Sequence, residues 1–83
     1  MSGPALALYY YPSCPYCRWV LSAIERLGID VELRDIHRDP EHRAALLAAR
    51  GRGTVPVLRV VDGTSERWMP ESSDIIDFLE RRG

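Results

Sequence analysis

The chain has no lysine. All eleven of its basic residues are arginine, so any function that needs a lysine side chain is excluded. Cysteine is nearly absent as well, with two copies in 83 residues. They sit at positions 14 and 17, and a bridge between them would close too small a loop to staple a fold. Reactive cysteine chemistry is the better reason for the pair. Neither sign of charge dominates. The net charge of −1 argues against a general nucleic-acid binder, which carries a basic excess. No apolar run approaches the roughly 18 residues of a membrane-spanning helix, so no membrane partner is expected. The opening Met1-Ser2-Gly3-Pro4 lacks the basic residues of a secretion signal, and Ala5 to Tyr11 is too short for its apolar centre. The expected compartment is therefore cytoplasmic, where disulfides are rarely structural. Internal repeats and low-complexity stretches are missing too.

What is present fits one globular domain spanning residues 1–83. A chain of this length buries roughly 60–65% of its unfolded surface. An apolar fraction of 46% against 28% charged is enough for a single modest core.

Taken in order, Ala5 to Tyr10 is an apolar run that reads as a strand buried on both faces, as in a sheet interior. Pro15 to Leu27 reads as a helix: Val20, Leu21, Ile24 and Leu27 make one buried stripe, and Gly28 ends it as a left-handed cap. Ile29 to Ile36 alternates, with Val31, Leu33 and Ile36 inward, and reads as a second strand. A crossover of this length implies parallel pairing and a right-handed connection. Asp39-Pro40-Glu41 starts a second helix, with a capping Asp, a Pro in the first position and an acid in the first turn. It runs to about Ala49, and Gly51 stops it. Val57 to Val61 is a third strand. Asp62-Gly63 signals a hairpin, so Glu66 to Met69 returns antiparallel until Pro70 breaks it. Ser72 or Ser73 caps a last helix that buries Ile75, Ile76, Phe78 and Leu79. Asp74 and Asp77 near its start and Arg81 and Arg82 near its end suit the helix dipole. The order β-α-β-α-β-β-α makes an α/β domain, a four-stranded mixed sheet flanked by three helices. That is the thioredoxin-like arrangement in its shortest form.

The chemistry gathers at Pro12-Ser13-Cys14-Pro15-Tyr16-Cys17, between the first strand and the first helix. The first N–H groups of a helix have no helical partner and point outward, and the peptide dipoles favour negative charge there. A thiolate fits position 14 better than a thiol. A turn between prolines is seldom core, so Cys14 reads as a reachable nucleophile, and burial of its sulfur would count against that reading. Cys17 lies one turn on, close enough to attack a disulfide formed at Cys14, and should be the less exposed and less acidic of the two. Arg18 in the first turn opposes the dipole unless an anion lies near.

Tyr-Tyr-Pro-Ser-Cys-Pro-Tyr-Cys, with Thr54-Val55-Pro56 about forty residues later and Ser72-Ser73-Asp74 near the end, resembles the glutaredoxin family over nearly the whole chain. The Asp35-Ile36 to Asp39-Pro40-Glu41 stretch and the Asp-Gly turn resemble mycoredoxins more loosely. Glu71-Ser72 followed by Ile75 and Leu79 resembles the last helix of glutathione-transferase N-terminal domains. The resemblance implies a thiol–disulfide oxidoreductase, with Cys14 as nucleophile and Cys17 as resolving thiol. It implies that Tyr16, Thr54 and Val55 contact a bound tripeptide and that Pro56 is cis and faces Cys14. It also implies that Ser72, Ser73 and Asp74 hold the γ-glutamyl end of glutathione, with Arg52 or Arg38 facing the glycyl carboxylate. No cofactor is bound in the chain; glutathione or another small thiol supplies electrons. Disulfide-containing proteins and small thiols are the partners of a monomer. Tyr11 stands where the family commonly has lysine, and Pro70-Glu71 replaces a Gly-Gly turn. These departures leave the thiol open between glutathione, mycothiol and a protein.

Two other readings compete. One is an iron–sulfur carrier bridged through Cys14, although two cysteines cannot supply four ligands. The other is a glutathione-binding domain without turnover. A zinc site from Cys14, Cys17, His37 and His42 has acceptable pair spacings, but the segment between the pairs holds a whole helix and strand. No metal is therefore expected.

Overall fold

A computed structural model describes residues 4–82; Met1 to Gly3, read above as part of a segment without a leader's basic residues, lie outside the described residues. The elements are β1 (Ala5–Tyr10), α1 (Pro15–Leu27), β2 (Glu32–Asp35), α2 (Pro40–Arg50), β3 (Val57–Asp62), β4 (Ser65–Met69) and α3 (Ser72–Arg82). They form one four-stranded mixed sheet in the order β2-β1-β3-β4. β1 pairs parallel with β2 and antiparallel with β3, and β3 pairs antiparallel with β4. This is the thioredoxin-like α/β arrangement, and the interior place of β1 explains its uninterrupted apolar run.

Side chains alternate along each strand, which divides the core into two layers. Leu6 and Leu8 of β1, with Leu58 and Val60 of β3, face Val20 and Ala23 of α1 and Ile75, Ile76 and Leu79 of α3. Ala7, Tyr9 and Val57 point to the other face, where Ile36 and Leu46 cover them. Leu46 alone among the described residues of α2 is buried, so α2 is held by a thin layer. Its ends are well specified: the Asp39 carboxylate accepts from the Glu41 N–H at 3.0 Å, and Gly51 takes a left-handed φ of 74° at the C-cap.

Three local expectations are corrected. β2 is four residues long rather than eight. It is an edge strand, so Leu33, expected inside, is 48% exposed; Val31 does pack on the α1–α3 layer, but from the loop before the strand. The last helix begins one turn position earlier than a serine cap requires. Glu71 holds the capping place, its carbonyl accepting from the Ile75 N–H at 2.8 Å, and Ser72 opens the helix. Finally, Phe78 of α3 is only half-buried, with Arg67 and Arg82 over its ring.

Candidate active site

Cys14 is the N-cap of α1, in extended backbone geometry (φ −80°, ψ 122°), and Pro15 takes the first helical position. The Cys14 carbonyl accepts from the Arg18 N–H at 3.0 Å, and the Cys14 N–H donates to the Tyr11 carbonyl at 3.2 Å. The turn therefore presents this residue where the free N–H groups of the helix begin. Its side chain makes no capping hydrogen bond, which leaves the sulfur available for other contacts. One expectation fails here. Cys14 is 6% exposed, not open to solvent. Both cysteines are free thiols, and they interact. Cys17 is wholly buried, and its thiol is pushed up to about 12, first by burial, with a backbone hydrogen bond from Tyr11 pulling the other way and the side chain and charge of Cys14 adding to the rise. It is the less exposed of the pair, and it holds its proton tightly.

A cavity of about 430 Å³ opens beside this turn, lined by Tyr16, Arg50, Arg52, Thr54, Val55, Pro56, Pro70, Glu71 and Ser72. The Val55–Pro56 peptide is cis, and Pro56 is buried while Thr54 is exposed. Tyr16 stands 63% exposed at the rim. Six of the residues singled out from sequence thus converge: Tyr16, Arg52, Thr54, Val55, Pro56 and Ser72. Three do not. Ser73 is exposed outside the lining. Asp74 faces a different groove with Arg67, Asp77 and Arg81. Arg38 lies across the molecule with Tyr10, Asp35 and His42.

Arg50 was missed. It is the last residue of α2, lines the cavity, and its Nε is buried without a hydrogen-bond partner. A buried donor left unpaired is costly, and this one belongs to a side chain that lines the cavity. The signal was available in principle: a basic residue in the last turn of a helix, immediately before its glycine cap. The helix was expected to end at about Ala49, which left Arg50 outside it. Glu71, noted from the sequence as a negative charge beside the last helix, is in the same lining.

A larger cleft of about 620 Å³ lies between Pro4, Leu6, Ile29 and Arg82, at the opposite end of β1 from the cysteines, and holds no nucleophile. The proposed zinc residues are dispersed in role: His37 stacks on Tyr11, and His42 lies 3.4 Å from the Asp39 carboxylate. Among the described residues no cluster of three or more His, Cys, Asp or Glu is placed to hold a metal, and no helix is long and apolar enough to cross a membrane.

The geometry can be set beside known proteins. The trimeric glutathione transferase TDR1 of Leishmania superposes with a TM-score of 0.77 at 28% identity, over 95% of this chain and 18% of that one. Glutaredoxin 2 of Salmonella typhimurium, solved in complex with glutathione, gives 0.75 at 29% identity, over 94% of this chain and 34% of that one. The chain thus spans well under half the length of either. The glutaredoxin of Brucella melitensis is closer in size, with 85% of its length and all of this chain covered, at a TM-score of 0.61 and 25% identity. No curated protein matches the sequence. A model of the glutathione S-transferase N-terminal domain matches residues 8–83, and the chain belongs to that family.

Proposed function

We propose that this domain is a glutathione-linked thiol–disulfide oxidoreductase. The observation that carries the reading is the pair itself: Cys14 at the N-cap of α1 and Cys17 one turn on, buried, with both thiols free. A transferase site needs only one group to activate a thiol; a second cysteine one helical turn from the first is explained by disulfide exchange.

The Cys14 thiolate attacks one sulfur of a mixed disulfide R–S–S–G. The S–S bond breaks, R–S⁻ leaves and takes a proton, and Cys14 is left joined to glutathione. A second glutathione thiolate then attacks the glutathione sulfur, which releases Cys14 as thiolate and yields oxidised glutathione. Two electrons pass from two glutathione molecules to the substrate disulfide. In the alternative second step Cys17 attacks the Cys14 sulfur and closes an internal disulfide. Burial pushes the Cys17 thiol up, which disfavours its thiolate and favours the route through a second small thiol.

The cavity favours an anionic thiol. Arg50, with its unpartnered Nε, and Arg52 sit on one wall and suit a carboxylate. The start of α3 at Ser72 suits a second one. A sugar-based thiol without carboxylates would offer Arg50 only neutral acceptors, which make weaker bonds. Glutathione complexes of Salmonella glutaredoxin 2 and of a Sulfitobacter transferase homologue, at TM-scores of 0.75 and 0.73, support the same choice. Cys14 is only 6% exposed, so a disulfide has little room in which to reach its sulfur. Small mixed disulfides are therefore better substrates than folded proteins. The reading is of a monomer at work in the cytoplasm.

The test is turnover of a glutathione mixed disulfide with glutathione as donor. Cys14→Ser abolishes it and Cys17→Ser retains most of it. Loss of turnover in neither variant, or equal loss in both, contradicts the mechanism. Turnover with mycothiol but not glutathione contradicts the assignment of the donor.

A further inference from the structure

Tyr11 is the residue through which β1 leaves the sheet and enters the cysteine turn. Its carbonyl accepts the Cys14 N–H at 3.2 Å, which ties its main chain to the cysteine turn. Its ring packs against the layer of Ile36, Leu46 and Val57. The free side of that ring is stacked on His37, with centroids 4.1 Å apart and planes 10° from parallel.

His37 is itself an exposed residue, yet it is not loosely held. Its N–H donates to Asp35 Oδ1 at 2.9 Å, and the Arg38 N–H donates to the same oxygen at 3.2 Å. The Asp39 N–H donates to the Asp35 carbonyl at 3.1 Å, and the Ile36 N–H to the Tyr10 carbonyl at 2.9 Å. The turn after β2 is thereby tied to the end of β1 twice, once by main chain at Tyr10 and once by the aromatic stack at Tyr11. Asx-type turns of this kind fix backbone direction locally, and stacked rings fix relative orientation. Hydrogen bonds weaken steeply with misalignment. A small shift of Tyr11 therefore disturbs the hydrogen bond that holds the Cys14 main chain.

We infer that His37 is a positioning residue for the Cys14–Cys17 pair, acting through the stack on Tyr11. Its role is geometric: a flat ring that holds the Tyr11 ring, and with it the peptide groups on either side of Tyr11. The expected effect on turnover rests on the oxidoreductase reading; the effect on Cys14 reactivity does not.

The experiment compares the wild type with His37→Ala, His37→Gln and His37→Phe. Three quantities are read: the melting temperature, the rate of Cys14 alkylation by iodoacetamide in the reduced protein, and the turnover of a glutathione mixed disulfide. His37→Ala and His37→Gln change the alkylation rate by about threefold or more, and lower turnover by a similar factor, while the proteins remain folded. His37→Phe keeps a flat ring and restores both rates to within about twofold of the wild type. An alkylation rate that moves by less in both non-aromatic variants overturns the inference. So does a His37→Phe protein as impaired as His37→Ala, since the imidazole's own chemistry would then be the cause. If the wild type turns over no disulfide at all, the oxidoreductase reading fails, and the alkylation rates still decide the role of His37.

Discussion

Raising the pH of the reduced protein removes stability through Cys17 in a calculable way. The thiol has an ordinary value of 9.0 and is held up to about 12 in the fold. Below pH 9 it is protonated whether the chain is folded or not, and its contribution is fully present. Between 9 and 12 the native state keeps a proton that the unfolded state has lost. Stability then falls with rising pH, because unfolding releases that proton. Each pH unit in this window costs about 1.4 kcal/mol. Across pH 9 to 11 the loss is about 2 kcal/mol, because the unfolded thiol is only half ionised at pH 9, and that is a large share of the roughly 5–15 kcal/mol that holds a domain together. Burial justifies using the shift without a discount for solvent, since Cys17 is 0% exposed. The assay is urea unfolding at pH 8, 9, 10 and 11 in the presence of a phosphine reductant, for the wild type and for Cys17→Ser. Tyrosine titration is common to both proteins and cancels in the difference. The wild type should lose stability faster above pH 9 by about 1.4 kcal/mol per unit. Parallel profiles would refute the claim that Cys17 is held as a buried thiol.

Two further predictions bear on the frame of the site. Leu46→Ala removes the one buried side chain of α2 and should lower unfolding free energy by about 2–5 kcal/mol in urea titration; a loss under 1 kcal/mol would show that α2 is held by something else. Arg50→Ala should raise KM for a glutathione mixed disulfide about tenfold with kcat nearly unchanged, since a bond to a remote carboxylate is made equally in ground and transition states. An unchanged KM would remove Arg50 from the binding site.

Much of this molecule is legible in its sequence. β1 and α1 announce themselves because local and tertiary preferences agree there: an apolar run for an interior strand, a Pro at the first helical position, a glycine with a left-handed φ of 66° after Leu27. α2 is equally plain from Asp39-Pro40 and Gly51. Leu33 was misplaced because alternation reports that a strand has two faces and not which of them a helix will cover; β2 lies at the sheet edge, where one side of Leu33 meets solvent. Asp62-Gly63 gave the hairpin, but the turn is made by Gly63 and Thr64, and Asp62 pairs with Ser65 as the last rung of the strand. Ser72 and Ser73 drew attention as caps because hydroxyls usually serve that role, whereas the first helical hydrogen bond runs to the Glu71 carbonyl and both serines lie inside the helix.

The site was harder to read than the fold. Cys14 and Cys17 are evident from their spacing and their place before a helix. The burial of Cys14 is not, because it depends on the approach of segments distant in sequence. Arg50 and Arg52 differ by two positions, and only the end of α2 and the turn after it determine that both reach one cavity. Asp74 sits two residues from Ser72 yet faces another groove, since successive positions on a helix point in different directions.

The most direct test of the central claim is competitive alkylation of the reduced protein at pH 7, read by mass spectrometry of the peptides that carry each cysteine. The account predicts that a small reagent modifies Cys14 first and leaves Cys17 untouched until the protein unfolds, and that glutathione disulfide converts Cys14 alone to its glutathione adduct. Modification of Cys17 first, or resistance of both thiols in the folded protein, would contradict it.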